Sequence, residues 1–313
     1  MIDTVSIVKS SNDLMRSVKQ SVELIGGLNL QGLPAVIKPN LCTTRDSRGR
    51  ANTSVMMTSA VIDMLLENDK RTRISVVESD STGKWLDIAF KNNGYTEMVQ
   101  KYCNDGYDIR LINLSREPSL TVSHRSLPFG DFQIPKILIE PNYFISIARA
   151  KTHGLTDITG ILKNQFGCLP RKDKDVYHNY IDRVILEINR LARPDLCIVD
   201  AITGMEGVIE GELKYIGVLL CGYNPASVDA VLAQIMGFDP EDIKHIVLAS
   251  RYGLGSIRPN LVGVPIEEVA VKFRRPSRII KALNRHVPER LRPLVRTVYH
   301  KTLIARFRDR NVR

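Results

Sequence analysis

The densest group of reactive side chains in this sequence lies between residues 151 and 167. Lys151, His153, Lys163 and Asn164 follow one another there and are interleaved with three glycines. Lysine attracts phosphate or carboxylate, histidine transfers protons near neutral pH, and glycine lets the backbone approach a ligand. We expect His153 and Lys163 to be catalytic and Lys151 and Asn164 to bind the ligand, although an isolated histidine is more often structural.

Two further groups follow short apolar stretches. Lys38 and Asn40 flank a proline that cannot extend a central strand, so the chain turns there. We expect both to bind an anionic ligand, and a solvated lysine at a sheet edge is the alternative. Glu78 ends another apolar stretch and is predicted to transfer a proton. Ser79 and Asp80, which come next, are suited to capping a helix.

The fourth group is acidic. Asp200, Glu206 and Asp229 are the predicted ligands of a divalent metal such as Mg²⁺, and they are equally suited to orienting other groups. For Asp229 the dipole of a helix is a sufficient explanation. His178, four residues before Asp182, is predicted to bind the ligand, and a pair on a helix surface is the alternative. The sequence identifies no other cofactor.

Short apolar stretches that alternate with longer periodic ones must position these groups. The short stretches predict strands at residues 5–8, 34–39, 73–78, 108–113, 143–150, 196–199 and 216–220. The periodic stretches predict helices at residues 13–25, 55–66, 176–191, 226–236 and 242–252. This alternation is typical of an α/β protein with a largely parallel sheet flanked by helices. Because such sheets bind ligands beyond the carboxyl ends of their strands, we expect the polar groups to gather around one cavity.

The composition changes near residue 271. Residues 272–313 contain 14 Lys or Arg and two acidic residues, so this tail carries +12 and the preceding residues −2 of the net charge of +10. We predict a core domain over residues 1–271, and a weaker division near residue 150 would separate two α/β lobes. Prolines and apolar stripes in the tail predict short, basic, amphipathic helices.

The basic tail has three candidate partners. An anionic membrane surface is the partner that we expect, because each Lys or Arg near anionic lipid gains about 1 kcal/mol. Packing on the core or on another subunit is the second interpretation. Nucleic acid is disfavoured, because the tail shows little aromatic interleaving and no recognised binding motif. The oligomeric state does not follow from the sequence.

Composition and missing motifs exclude several classes of protein. With 43% hydrophobic and 25% charged residues, the chain is globular rather than disordered or collagen-like. No apolar run reaches the ~18–20 residues of a membrane span and no secretory signal is visible. A cytoplasmic location is therefore expected, with peripheral attachment at the inner membrane face through the tail. The five cysteines are scattered, and the P-loop, dinucleotide-binding and nucleophile-elbow motifs are missing.

Taken in order, these motifs resemble the family called domain of unknown function 362. The resemblance extends from about residue 34 to residue 256 and is carried by segments 37–40, 151–153, 159–167, 200–202, 205–207 and 224–229, the last continuing to Gly237. It implies an α/β core with a shared polar site and no particular reaction. Many members look like redox-associated proteins with an appended cysteine-rich iron–sulfur module. This chain lacks those cysteines, so no built-in cluster is expected.

Two functions are consistent with these features. The first is an enzyme or ligand-binding protein for a small carboxylated or phosphorylated metabolite, in which lysines hold the anion and His153 or Glu78 transfers a proton. The second is a non-catalytic binding or assembly protein that docks on an anionic membrane surface through its tail.

Overall fold

The computed structural model describes residues 3–46, 51–123, 130–207 and 211–276. Within these ranges the strands are β1 (Thr4–Lys9), β2 (Ala35–Pro39), β3 (Ile74–Glu78), β4 (Ile109–Asn113), β5 (Ser119–Val122), β6 (Phe132–Pro135), β7 (Tyr143–His153), β8 (Asp157–Thr159), β9 (Leu196–Glu206), β10 (Glu212–Gly222) and β11 (Asn260–Gly263). The α-helices are α1 (Leu14–Glu23), α2 (Val55–Asn68), α3 (Leu86–Asn92), α4 (Tyr95–Asn104), α5 (Ile161–Asn164), α6 (Ile181–Leu191), α7 (Pro225–Ile235), α8 (Lys244–Arg251) and α9 (Ile266–Val269). Each predicted strand coincides with one of these strands.

Nine of these strands form one mixed sheet in the order β11-β1-β10-β9-β7-β2-β3-β4, with β8 paired to β7. Strands β9, β7, β2, β3 and β4 run parallel to one another, whereas β10 lies antiparallel to β9 and to β1. Strands β5 and β6 form a separate antiparallel pair. The carboxyl ends of the five parallel strands therefore lie at one edge of the sheet.

Apolar side chains cover both faces of this sheet. Strand β7 is buried along its whole length except at His153, which is expected of a parallel strand with helices on both sides. One hydrophobic cluster includes residues of α6 and α7, and a second includes residues of α1 and α2. The structure thus confirms the predicted fold class, an α/β protein with a largely parallel sheet flanked by helices.

Local signals in the sequence explain where several helices begin. Asp13 caps α1 by accepting a hydrogen bond from a backbone N–H, and Ser54 caps α2 in the same way.

The helix predicted at residues 176–191 is divided, because residues 174–180 form a 3₁₀ helix and α6 begins at Ile181. The 3₁₀ segment buries Lys174 and Tyr177.

The contacts within the chain group the described residues up to Arg275 into one compact unit. Residue 150, near which the sequence allowed a division into two lobes, lies inside β7. The predicted basic helical tail over residues 272–313 lies outside the described residues, except for its first five. None of the helices in the described ranges combines the length and the apolar character that a bilayer crossing requires.

Candidate functional site

Parallel pairing of β2 with β3 brings Lys38 and Glu78 together at the carboxyl edge of the sheet. The side chains are 1% and 4% exposed, so both are shielded from water. Nζ of Lys38 donates a hydrogen bond to Oε1 of Glu78 at 2.5 Å. Two residues that the sequence assigned to separate strand ends therefore form a buried ion pair.

Lys84 supplies a second positive charge to Glu78. Its Nζ donates to Oε2 of Glu78 and to the backbone oxygen of Leu41, the latter at 2.6 Å. Burial alone would raise the pKa of Glu78, but Lys38, Lys84 and Lys174 outweigh it and hold that pKa below its usual range. A proton-transferring carboxyl needs a pKa nearer to neutral. In this structure Glu78 is the counter-ion of Lys38 and Lys84, and its predicted role in proton transfer stays a prediction.

Lys174 approaches the same pair from the 3₁₀ helix before α6. Its Nζ donates to Oγ of Ser79 at 2.8 Å and to the backbone oxygen of Asp80. Burial lowers the pKa of Lys174 to about 7, although the charge of Glu78 acts in the opposite direction. Neither Lys174 nor Lys84 ends a strand, so the sequence offered no signal for them beyond their charge. The lysine cluster, as we call it, consists of Lys38, Glu78, Lys84 and Lys174.

The segment that includes α5 covers the lysine cluster. Oδ1 of Asn164 accepts a hydrogen bond from Nζ of Lys38 at 3.3 Å, and its Nδ2 donates to Oγ of Ser146 at 3.0 Å. A Cβ on Gly167 would lie 2.1 Å from Oε1 of Glu78 and 2.7 Å from Nζ of Lys38. The missing side chain of Gly167 therefore allows the backbone to close over the buried ion pair.

We expect Gly167→Ala to lower the free energy of unfolding by about 1–3 kcal/mol, because the added methyl group displaces the ion pair beneath it. Gly154→Ala is the matched control, since a Cβ at that position meets nothing within 4 Å. Urea unfolding of both variants beside the wild type measures the difference. Equal midpoints for the two variants would contradict the close packing at Gly167.

Neutral acceptors hold Lys151 near the end of β7. Its Nζ donates to Oδ1 of Asn40 at 3.1 Å and to the backbone oxygen of Ala51 at 2.8 Å, and it lies 3.3 Å from Sγ of Cys42. Lys151 is 2% exposed, so little water surrounds its charge. The structure thus brings together Lys151 and Asn40, which the sequence assigned to ligand binding from positions far apart, and adds Cys42, which it did not assign.

Lys163 differs from these lysines, because its Nζ has no hydrogen bond or ion pair within the described ranges. Its ammonium group lies 4.5 Å from the centre of the Phe166 ring, and the residue is partly buried. Burial, and after it the charge of Lys151, lowers the pKa of Lys163 to about 8. Lys163 is therefore a cation that forms an ion pair with no carboxylate in the described part of the chain.

His153 ends β7 within electrostatic range of Lys163. Its Nδ1 accepts a hydrogen bond from the backbone N–H of Leu155 at 3.2 Å, so the neutral ring carries its proton on Nε2. Burial, and after it the charge of Lys163, lowers the pKa of His153 well below its ordinary value. The ring is therefore neutral at pH 7 and offers an N–H donor.

His178 contacts the aromatic ring next to Lys163. The rings of His178 and Phe166 stack with 6.2 Å between their centroids. Nε2 of His178 lies 3.6 Å from Oδ1 of Asp175. The structure thus connects His178 to Lys163 through Phe166 and leaves its predicted role in ligand binding a prediction.

The three predicted metal ligands lie in separate settings. Asp200 pairs with Arg149 at 3.0 Å, and Glu206 pairs with Arg274 at 2.7 Å. Asp229 accepts hydrogen bonds from two backbone N–H groups. No group of three or more His, Cys, Asp or Glu side chains in the described ranges could hold a metal ion. The structure therefore does not bring these three carboxylates together, and each of them meets local donors.

Asp229 holds the segment that carries Lys163. Its two carboxylate oxygens accept the N–H groups of Ile161 at 2.6 Å and Leu162 at 3.0 Å, at the start of α5. A Cβ on Gly160 would lie 2.1 Å from Oδ1 of Asp229. Burial raises the pKa of Asp229 to about 7, although the two hydrogen bonds act in the opposite direction. Asp229 therefore positions α5, and its predicted role as a metal ligand stays a prediction.

A surface hollow of about 290 Å³ lies elsewhere in the fold. It is lined by Glu241, Val247, Ser250, Arg251 and Ile257. None of the residues predicted to bind or transform a ligand contributes to it. The polar groups at the carboxyl edge of the sheet are thus distinct from this hollow.

Two solved structures resemble the fold at low sequence identity. Lactate racemase apoprotein from Thermoanaerobacterium thermosaccharolyticum aligns with a TM-score of 0.41 and 13% identity over 75% of this chain and 57% of its own. A Thermotoga maritima protein aligns with a TM-score of 0.36 and 11% identity over 76% of this chain and 58% of its own. The chain thus spans less than two thirds of the length of either structure.

Sequence comparison identifies the family. A thylakoid-associated protein of Synechocystis sp. (strain ATCC 27184 / PCC 6803 / Kazusa) is 24% identical over 318 residues, which cover 96% of this chain and 95% of that protein. The family model described as domain of unknown function (DUF362) matches residues 35–234. This match includes the lysine cluster, His153, Lys163 and Asp229 and confirms the resemblance predicted from the motifs. The chain therefore belongs to the family domain of unknown function 362.

Proposed function

We propose that this protein is an enzyme that binds a small carboxylated or phosphorylated metabolite near Lys151 and Lys163. One observation carries the proposal: neither lysine has a carboxylate partner within the described ranges. Charges removed from water are costly unless a counter-charge compensates them. An anionic ligand would supply that counter-charge, and the buried Glu78 is already saturated by Lys38 and Lys84.

The surroundings of these two lysines also support chemistry on the ligand. His153 offers an N–H donor from a neutral ring within electrostatic range of Lys163. Lys163 has a pKa lowered to about 8 by burial, which brings its titration close to physiological pH. Groups with such shifted pKa values are typical of sites that transfer protons or attack a substrate.

We expect Lys163→Gln to weaken anion binding by about 10- to 100-fold, because a charge-assisted hydrogen bond contributes about 1.5–3 kcal/mol. Isothermal titration calorimetry with inorganic phosphate and with malonate measures the affinity. Lys101→Gln is the matched control, because Lys101 lies exposed on α4.

Two results would contradict the anion site. One is an affinity of the Lys163→Gln variant equal to that of the wild type for every anion that binds. The other is the same loss of affinity in the Lys101→Gln variant, which would trace binding to the overall charge of the protein.

A second function concerns the membrane surface. We propose that the basic tail attaches the protein to anionic lipid. Support comes from the relative described as thylakoid-associated, which aligns with 96% of this chain, and from the charge of +12 over residues 272–313. Each basic residue near an anionic surface gains about 1 kcal/mol, so a few contacts suffice for binding.

Vesicle co-sedimentation tests this attachment. The full chain is expected to sediment with vesicles that contain phosphatidylserine, to remain in solution with phosphatidylcholine alone, and to be released by salt. A chain that ends at Pro276 keeps Phe273, which is buried, and the ion pair between Arg274 and Glu206. If this shortened chain binds anionic vesicles as strongly as the full chain, the tail is not the attachment.

A further inference from the structure

We propose that Lys163 forms an imine with an anionic aldehyde or ketone, such as a 2-oxo acid, through its side-chain amine. The inference rests on the proposed anion site and deepens it, since it specifies the substrate class and the reacting atom. It is based on the contacts of the lysines in this region, on the surroundings of Lys163 and on the donor beside it.

An amine attacks a carbonyl group only when its lone pair is free. Four of the lysines near the carboxyl edge are buried and donate hydrogen bonds to protein acceptors, which keeps Nζ away from a substrate even where, as in Lys174, the pKa is lowered: Lys38, Lys84, Lys151 and Lys174. Lys163 has no such acceptor in the described part of the chain, and its Nζ lies over the ring of Phe166. Among these five lysines, Lys163 is therefore the one whose amine is available for attack.

The surroundings of Lys163 also favour its neutral form. Burial and the positive charge of Lys151 lower its pKa to about 8. Desolvation next to another cation is the arrangement that activates lysines for imine formation. Near neutral pH a much larger share of Lys163 is then neutral than of an ordinary exposed lysine.

The reaction balances without a redox partner or another co-reactant. The lone pair of Nζ forms a bond to the carbonyl carbon, the nitrogen gives up one proton, and the carbonyl oxygen takes up one proton to give a neutral carbinolamine. The carbinolamine loses its hydroxyl group and the remaining nitrogen proton as water, which leaves the carbon–nitrogen double bond. His153 lies within electrostatic range of Lys163, and its Nε2–H can donate a hydrogen bond to the carbonyl oxygen. Lys151 supplies positive charge for the carboxylate or phosphate of the substrate.

Reductive trapping tests the proposal on the full-length protein. The protein is incubated with glyoxylate, pyruvate or glycolaldehyde phosphate in the presence of sodium cyanoborohydride, and the modified lysines are identified by peptide mass spectrometry. We expect Lys163 to be labelled about 10- to 100-fold faster than exposed lysines at pH 7.5, with a rate that rises to a plateau above pH 8. In Lys163→Arg, which keeps the positive charge, this labelling is lost, whereas Lys101→Arg leaves it unchanged.

Calorimetry with phosphate and malonate separates this inference from the anion site on which it rests. Labelling of Lys163 in preference to other lysines, together with anion binding that survives in Lys163→Arg, supports both. Anion binding without preferential labelling of Lys163 by any of the three carbonyl compounds overturns the imine and leaves the anion site. If the protein neither binds the anions nor is labelled at Lys163, both proposals are wrong.

Discussion

Glu78→Gln is expected to lower the free energy of unfolding by about 3–5 kcal/mol, because removing one partner of a buried ion pair leaves the other charge uncompensated. Here the effect falls on two lysines at once, since Lys38 and Lys84 bind the two oxygens of the same carboxylate. Glutamine keeps the shape of the side chain but supplies no negative charge. Guanidinium-induced unfolding of the variant and the wild type measures the loss.

Glu67→Gln is the matched control for this substitution. Glu67 also pairs with a lysine, Lys19, at 2.9 Å, but both side chains are exposed, so its loss is expected to leave the free energy of unfolding nearly unchanged. Adding Lys84→Met to Glu78→Gln is expected to restore part of the stability, because it removes one of the two uncompensated charges. Similar losses for Glu78→Gln and Glu67→Gln would show that the buried charges contribute no more than exposed ones.

The pH dependence of the same variant gives an independent check. The folded-state pKa of Glu78 lies below its ordinary value, so its stabilising effect is complete at neutral pH and is lost as the pH falls through the folded-state pKa. The difference in unfolding free energy between wild type and Glu78→Gln is therefore expected to shrink in acid. A difference that stays constant from neutral to acidic pH would contradict the ion pair.

The free energy of unfolding of the wild type is expected to fall by about 4 kcal/mol as the pH rises from 4 to 7, because of the titration of Asp229. Burial raises its pKa to about 7 in the folded protein, so the folded state holds a proton that the unfolded state releases at a lower pH. Where the folded state binds more protons than the unfolded state, the free energy of unfolding falls as the pH rises. The fall ends near pH 7, where the folded-state carboxyl has also ionised.

Asp229→Asn isolates this contribution, because the amide does not titrate and still accepts a hydrogen bond from the start of α5. Urea unfolding of both proteins at closely spaced pH values gives a difference profile in which the titration of all other groups cancels. We expect the wild type to lose stability relative to the variant from pH 4 to pH 7. A flat difference profile would mean that the carboxyl of Asp229 titrates alike in both states.

Much of the sheet and part of the site were predictable, because they depend on local pattern. Short apolar stretches ending in polar residues identified β2, which includes Lys38 and ends at Pro39, and β3, which ends at Glu78. The rule that parallel strands share a carboxyl edge then predicted that these residues lie near each other. The order of the motifs also identified the family that the comparison over residues 35–234 confirmed.

The partners of those residues were not predictable, because they come from distant parts of the chain. Lys38 forms a hydrogen bond with Asn164, which is 126 positions away in the sequence, and Lys174 forms one with Asp80, which is 94 positions away. The acidic residues show the same difficulty. Asp229 is of a residue type that often binds cations, yet its two oxygens accept hydrogen bonds from backbone N–H groups of α5. Spacing along the chain contains no information about which donor a buried carboxylate will meet.

Residue types and periodicity alone were thus enough to establish the α/β class, the family and the strand ends at which charge collects, since each of these follows from short-range pattern. Packing in three dimensions decided which of those charges are neutralised. Glu78 is the counter-ion of two lysines, and the three acidic residues Asp200, Glu206 and Asp229 each meet separate donors, whereas Lys163 forms no ion pair with a carboxylate in the described part of the chain. The physical reason is that the cost of burying a charge depends on its nearest neighbours in space, and those neighbours are set only when the sheet and its covering segments come together.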